Sequence, residues 1–279
     1  MRKLYFLTMV LLLAMHVTAY ASGNDPSKAG GNTELVVFAA ASMTETLEQI
    51  AALYKKIVPD IKLTFNFDSS GTLKTQIEEG AECDIFISAG QLQMDQLDST
   101  VGPLVNTKRL DAVLQGTRTD LLENKVTLCV PENNPAGIRS FADLAKRIVN
   151  ENILLAMGNS DVPVGQYTQR ILAFYKLDEQ ALARGGRITY GTNVKEVTTQ
   201  IREASVSCGV VYQTDAYSAG LKIVDYATGY MCGQIIYPAA VLKASRNSGA
   251  AMAFMDYLKS NEAMAVFQKV GFTAARRRE

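Results

Sequence analysis

Four segments place small or hydroxyl-bearing residues where an extended apolar run gives way to a helical pattern. Ser42-Met43-Thr44-Glu45 reads as a capping box, with Ser42 at the N-cap and Glu45 three positions on. Ser70 stands in the same position before Gly71-Thr72-Leu73. Val162-Pro163-Val164-Gly165 opens a third helix, and Thr192-Asn193-Val194-Lys195-Glu196 opens a fourth with Asn193 as its cap. A helix start exposes backbone N–H groups with no acceptor one turn back and carries partial positive charge, so it attracts anions. Four such starts facing one cavity would hold an oxyanion with neutral donors alone. A serine opening a helix is by itself an ordinary cap, so the chemistry depends on a fold that brings these turns together.

Other chemistries are excluded by what the chain lacks. Its one histidine, His16, falls in a segment expected to be removed. Without histidine there is no Ser-His-Asp or Cys-His relay, and the commonest metal ligand is missing. Cys83, Cys129, Cys208 and Cys232 are widely spaced with no Cys-x-x-Cys pair, which argues against zinc. In an oxidising compartment they could form one or two disulfides, Cys208 with Cys232 being the first pairing to test, or stay as buried thiols. Lys and Arg balance Asp and Glu at 28 each, and no basic stripe runs through the chain, so nucleic acid is not an expected partner.

Arg2 and Lys3, an apolar run from Leu4 to about Val17, and Ala19-Tyr20-Ala21 read as a cleavable leader over 1–21. The run is short for a membrane span, and no cysteine near the cleavage point offers a lipid attachment site. The mature chain is expected to start near Ser22, carry a net charge near −2 and float free in a periplasm. Residues 22–33 (SGNDPSKAGGNT) read as a mobile linker and Arg276-Arg277-Arg278 as a solvated tail. Apolar residues make up 48% of the chain, enough for a full core.

The elements that must position the turns follow in alternation. Leu35–Ala39 is a continuous apolar run, as in a strand buried on both faces. Leu47, Ile50, Leu53 and Tyr54 then share one helical face. Strands are predicted at 62–67, 84–88, 125–130, 153–157, 188–190, 209–212, 221–224 and 235–242, with helices near 141–149, 164–175, 194–204 and 250–270. Strand and helix in turn define an α/β architecture with largely parallel sheets. Ligands then bind at the carboxyl ends of the strands.

Several runs, in order along the chain, resemble one known family. They are Val36-Val37-Phe38-Ala39-Ala40-Ala41-Ser42, Ser69-Ser70-Gly71-Thr72-Leu73, Asp84-Ile85-Phe86-Ile87-Ser88-Ala89, Val162-Pro163-Val164-Gly165, Gly209-Val210-Val211-Tyr212-Gln213-Thr214-Asp215-Ala216 and Tyr237-Pro238-Ala239-Ala240-Val241. Together they resemble the periplasmic molybdate-binding proteins of molybdenum ABC importers, within the type II periplasmic-binding-protein superfamily. The likeness covers nearly the whole mature chain. It implies a two-domain periplasmic-binding-protein fold, each domain a mostly parallel sheet flanked by helices, with the ligand in the cleft between them. The expected boundaries are 34–125 plus 237–279 for one domain and 126–236 for the other.

By this resemblance the ligand groups fall on the hydroxyls and N–H groups of Ser42 and Ser70, the N–H groups of Val164 and Val194, and the hydroxyl of Tyr212. The ligand would be molybdate or tungstate, held as an oxyanion with no cofactor, no catalytic residue and no direct metal coordination by side chains. The implied partners are the membrane subunits of an ABC importer, and the chain is expected to be a monomer. Three departures stand out: Ser69-Ser70-Gly71 replaces a three-serine turn, Pro163-Val164-Gly165 a proline-alanine-glycine turn, and Gly90 an acidic residue. A donor-only site disfavours protonated phosphate, which brings a donor of its own. Sulfate, thiosulfate or another tetrahedral oxyanion remains the alternative ligand. An enzyme acting on a phosphorylated or sulfated metabolite is the remote one, with Asp68, Asp161 or Asp215 as its base.

Overall fold

The computed structural model describes residues 33–275. The leader at 1–21, linker residues 22–32, His16 and the Arg276–Arg278 tail lie outside the described residues. Thr33, placed in the linker from sequence, is the first residue of a strand.

The chain runs β1 (Thr33–Ala40), α1 (Thr44–Ile57), β2 (Ile61–Asp68), α2 (Ser70–Glu78), β3 (Ile85–Ile87), α3 (Gln91–Asp95), β4 (Thr119–Asn124) and β5 (Val126–Val130). It continues through α4 (Phe141–Arg147), β6 (Leu155–Gly158), α5 (Pro163–Phe174), α6 (Glu179–Arg184), β7 (Ile188–Gly191), α7 (Val194–Arg202) and β8 (Cys208–Tyr212). It ends with α8 (Gln213–Ser218), β9 (Lys222–Tyr226), α9 (Gly229–Cys232), β10 (Ile235–Val241), α10 (Ser248–Leu258), α11 (Asn261–Lys269) and β11 (Thr273–Ala274). Two sheets result, ordered β11-β4-β10-β3-β1-β2 and β7-β6-β8-β5-β9.

Both sheets are mixed, where the sequence led us to expect mostly parallel ones. Strand β1 pairs in parallel with β2 and β3, and β6 with β7 and β8. The five remaining pairings, which involve β10, β4, β11, β5 and β9, are antiparallel. The antiparallel members include the strands that carry the chain between sheets. Lys125 alone separates β4 of the first sheet from β5 of the second, and β10 follows the return from α9. An apolar run gives no sign of direction, so this feature was not readable from pattern.

Strand β1 is buried on both faces as its run of apolar residues requires. Leu35, Val37 and Ala39 pack into the main core and Phe38 into a smaller one with Leu73, Phe86 and Met94. The predicted 250–270 helix is two helices, because the Ser260 hydroxyl accepts from Ala263 N–H and starts α11 afresh.

Register sets the positions of the turns. Ala40 lies beside Asp68, which aligns the carboxyl ends of β1 and β2 and hence the turns holding Ser42 and Ser70. Gly158 lies beside Gly191, which aligns the starts of α5 and α7. Tyr212 ends β8, which runs parallel to β6. Among the described residues no helix is long and apolar enough to cross a membrane.

Candidate functional site

The turns meet around one small cavity, with about 10 Å³ of space open to a water molecule, lined by Ser42, Asp68, Ser69, Ser70, Ala89, Val162, Pro163, Val194 and Tyr212 among others. No lysine, arginine or histidine lines it. Four of the five residues expected from sequence, Ser42, Ser70, Val194 and Tyr212, stand on the cavity wall. The fifth, Val164, is fully buried as a side chain, and the two residues before it line the wall instead.

Two of the expected caps are differently built. Ser42 lies in a short 3-10 turn, Ala41–Met43, ahead of α1, and makes no cap. Its Oγ lies 2.9 Å from the Tyr237 hydroxyl. Ser70 is the first residue of α2, and the cap is Ser69, whose Oγ accepts from Gly71 N–H at 3.2 Å. The Ser70 Oγ instead accepts from the Ala89 N–H at 2.9 Å. An N–H can only donate, so the Ser70 oxygen is engaged as an acceptor and its own proton is free to point at a ligand.

The caps that do form leave the useful donors open. In α7 the Asn193 side chain takes the N–H groups of Lys195 and Glu196. Val194, at the first helical position, has no acceptor one turn back and keeps its N–H available. In α5, Pro163 has no N–H and Gln166 N–H bonds Val162 O at 3.1 Å. Val164 therefore presents the first N–H of that helix.

Tyr212 is buried, with its hydroxyl donating to Ala89 O at 3.2 Å. Its ring stands edge-on to Tyr167 and Tyr237, with centroids 6.4 and 5.6 Å away. Burial pushes the hydroxyls of Tyr212 and Tyr237 well above the usual phenol range, so both stay protonated.

Asp68, named from sequence only as a candidate base of the enzyme alternative, lines the cavity and supplies an acceptor there. Its Oδ1 takes Ser69 N–H at 2.7 Å and the Asn193 amide at 3.4 Å. Asp161 contributes its carbonyl, which accepts from the Ser69 hydroxyl at 3.1 Å. Asp215 is fully buried away from the cavity, with Lys195 Nζ 3.5 Å from its Oδ1. It cannot serve as a base for a ligand there. Lys195 meets Glu45 of α1 at 2.8 Å, so its charge is taken by carboxylates. Among the described residues no group of His, Cys, Asp and Glu could hold a metal ion.

Sequence reasoning gave no role to Tyr237, Asn124 and Thr214, which form the floor beneath Ser42. Asn124 Nδ2 donates to Tyr237 Oη at 3.1 Å and to Thr214 Oγ1 at 3.0 Å. The polar dipeptides around them carry no spacing signal, because the three residues come from three distant elements.

A two-sheet α/β fold with helix starts converging on a small cavity is the architecture of a solute-binding protein. The chain belongs to the bacterial extracellular solute-binding protein family, whose profile matches residues 35–273. It is 33% identical to a Bacillus subtilis protein named as a candidate ABC transporter substrate-binding lipoprotein, over 98% of this chain and all of that one. It is 30% identical to the molybdate-binding protein ModA of Haemophilus influenzae, over 98% of this chain and 100% of the relative. Among solved structures, it is similar to the substrate-binding domain of a candidate molybdenum ABC transporter from Clostridium difficile. That likeness has 30% identity and a TM-score of 0.62, and covers 88% of this chain and 100% of that one.

Proposed function

We propose that this chain captures molybdate or tungstate outside the cytoplasm and delivers it to the membrane subunits of an ABC importer. The observation that carries this is the cavity itself: helix starts and two buried serines converge on it, and no cationic side chain lines it. A buried dianion needs compensation, and hydrogen bonds from neutral groups to a charged acceptor contribute about 1.5–3 kcal/mol each. The donors are the hydroxyls of Ser42, Ser70 and Tyr212 and the N–H groups of Ser42, Ser70, Val164 and Val194. The Tyr212 hydroxyl turns from Ala89 O to the ligand on binding. The similarity to the Haemophilus influenzae molybdate-binding protein supports the choice of anion.

The chain acts as a carrier and not as an enzyme, and holds the metal only as its oxyanion. We assign 34–125 plus 237–279 to one closing body and 126–236 to the other, with Lys125 and the segment before β10 as hinges. We further infer release into the periplasm after cleavage near Ser22.

Calorimetry with molybdate, tungstate, sulfate and phosphate tests the assignment. Molybdate and tungstate should bind far more tightly than sulfate, with phosphate weakest. Asp68 makes phosphate the informative arm, since its carboxylate on the wall could receive a ligand proton. Absence of binding by molybdate and tungstate would sink the proposal.

A further inference from the structure

Beneath Ser42 lies a chain of hydrogen bonds whose direction is set by a backbone amide. Lys125 N–H donates to Asn124 Oδ1 at 2.8 Å, which fixes the orientation of the Asn124 amide. Its Nδ2 therefore faces Thr214 Oγ1 and Tyr237 Oη, and both of its protons are committed to them. An amide nitrogen can only donate, so Tyr237 Oη accepts there and has its own proton left to give. Ser42 Oγ lies 2.9 Å from it. Either oxygen of that pair could donate when the pair is viewed alone. With Asn124 donating to it, Tyr237 Oη keeps a proton that Ser42 Oγ is placed to accept. A bond running from Tyr237 to Ser42 releases the Ser42 hydroxyl proton from this contact and turns it toward the cavity.

We propose that Tyr237 and Asn124 are positioning residues for anion capture. Through the relay Lys125 N–H, Asn124, Tyr237, Ser42, they orient Ser42 as a hydrogen-bond donor to the bound oxyanion. This rests on the function proposed above and deepens it. The side chains of the relay are buried, Tyr237 fully, Ser42 to 4% exposure and Asn124 to 7%, as is Thr214 at 1%, while Lys125, which starts it through its N–H, is exposed. Water cannot readily reverse the polarity of such a chain. Asn124 and Lys125 also sit at the crossing from β4 to β5, so the relay begins at the hinge and ends at the ligand. Ser70 reaches the same state by a shorter route, through Ala89 N–H. Both serines are thereby made donors, which suits a fully deprotonated ligand.

The test is calorimetry with molybdate on the mature chain, comparing wild type, Ser42→Ala, Tyr237→Phe and the double variant. Tyr237→Phe keeps the ring that packs on Tyr212 and Phe272. It should weaken binding roughly 3- to 10-fold, the worth of one neutral hydrogen bond. In the Ser42→Ala background the same change should cost less than about 2-fold, because the relay has lost its end point. In a Ser70→Ala background it should keep its full effect. A purely structural role for Tyr237 would lower affinity equally in all backgrounds, and that result would overturn the relay while leaving the proposed function intact. Failure of wild type to bind any of the four oxyanions would instead overturn the function itself, and the relay with it. If Tyr237→Phe does not fold, Asn124→Ala replaces it. That variant frees the Tyr237 hydroxyl to point either way, and its loss should again vanish without Ser42.

Discussion

Gly71 of α2 and Asp161 of the turn before α5 meet so closely that a Cβ on Gly71 would stand 2.1 Å from the Asp161 carbonyl oxygen. The same carbonyl accepts from the Ser69 hydroxyl, so the start of α2 is latched to the turn before α5 by backbone contact and one hydrogen bond. Gly90 makes a second, looser approach, where a Cβ would lie 3.2 Å from Pro163 Cβ. Backbone cannot yield as a flexible side chain does. Gly71→Ala should therefore hold the two proposed bodies apart and weaken molybdate binding by about 1–3 kcal/mol, the usual cost of overpacking. Small-angle scattering checks the cause: with saturating molybdate the variant should stay more expanded than wild type. Equal compaction and equal affinity would show that the contact does not limit closure.

Ser42→Ala and Ser70→Ala should each weaken binding by about 1–3 kcal/mol, from loss of a donor to a buried charge. The two should differ in stability. Ser70→Ala strands the buried Ala89 N–H, an unsatisfied donor that costs about 1–3 kcal/mol on its own. Ser42→Ala strands only the Tyr237 hydroxyl, which can seek another acceptor. Calorimetry reads the first effect and thermal melting the second. Unchanged titrations for both variants would remove them from the site.

Asp215 makes the stability of the fold depend on pH. Burial raises its carboxyl from the usual range to about 7, opposed by Lys195 at 3.5 Å and reinforced by the nearby Glu45 carboxylate. The folded chain thus keeps this proton at pH values where the unfolded chain has released it, so the group favours folding least once pH exceeds 7. Its contribution falls by up to about 1.4 kcal/mol for each pH unit from pH 4 to 7 and is flat above. Asp215→Asn cannot titrate. Its stability relative to wild type should therefore climb between pH 5 and pH 7 and level off by pH 8. Denaturant melts at those pH values measure the slope, and a difference independent of pH would mean that Asp215 titrates normally.

Much of this architecture was legible in the residues. The continuous run at 35–39 and the alternation of strands with helices carry an α/β fold because burial demands those patterns. Asn193 was readable as a cap because its side chain acts within three residues. Ser42 was misread for the opposite reason: its hydroxyl partner, Tyr237, is 195 positions away, and no local spacing encodes that bond. Asp68 entered the cavity through register with Ala40, which only the pairing of β1 with β2 reveals. Strand direction at β4, β5 and β10 was hidden too, because an apolar run looks the same in either sense.

The four cysteines are all buried as free thiols, so the pairing of Cys208 with Cys232 that was first to be tested is not what the structure contains. Each thiol is satisfied or enclosed where it stands. Cys83 Sγ donates to Ile85 O at 3.2 Å, Cys129 lies 3.4 Å from the Thr127 hydroxyl, and Cys208 is fully enclosed in β8. Burial pushes Cys83 and Cys129 up to about 12 and Cys232 up to about 11, far from the thiolate form that reacts. Ellman's reagent at pH 8 should then find almost no rapidly reacting thiol in the folded chain and all four after denaturation without reductant. A reductant should leave the melting temperature unchanged, because no covalent loop is being opened. Two thiols after denaturation, with a melting temperature that falls on reduction, would instead reveal a disulfide formed in the oxidising compartment.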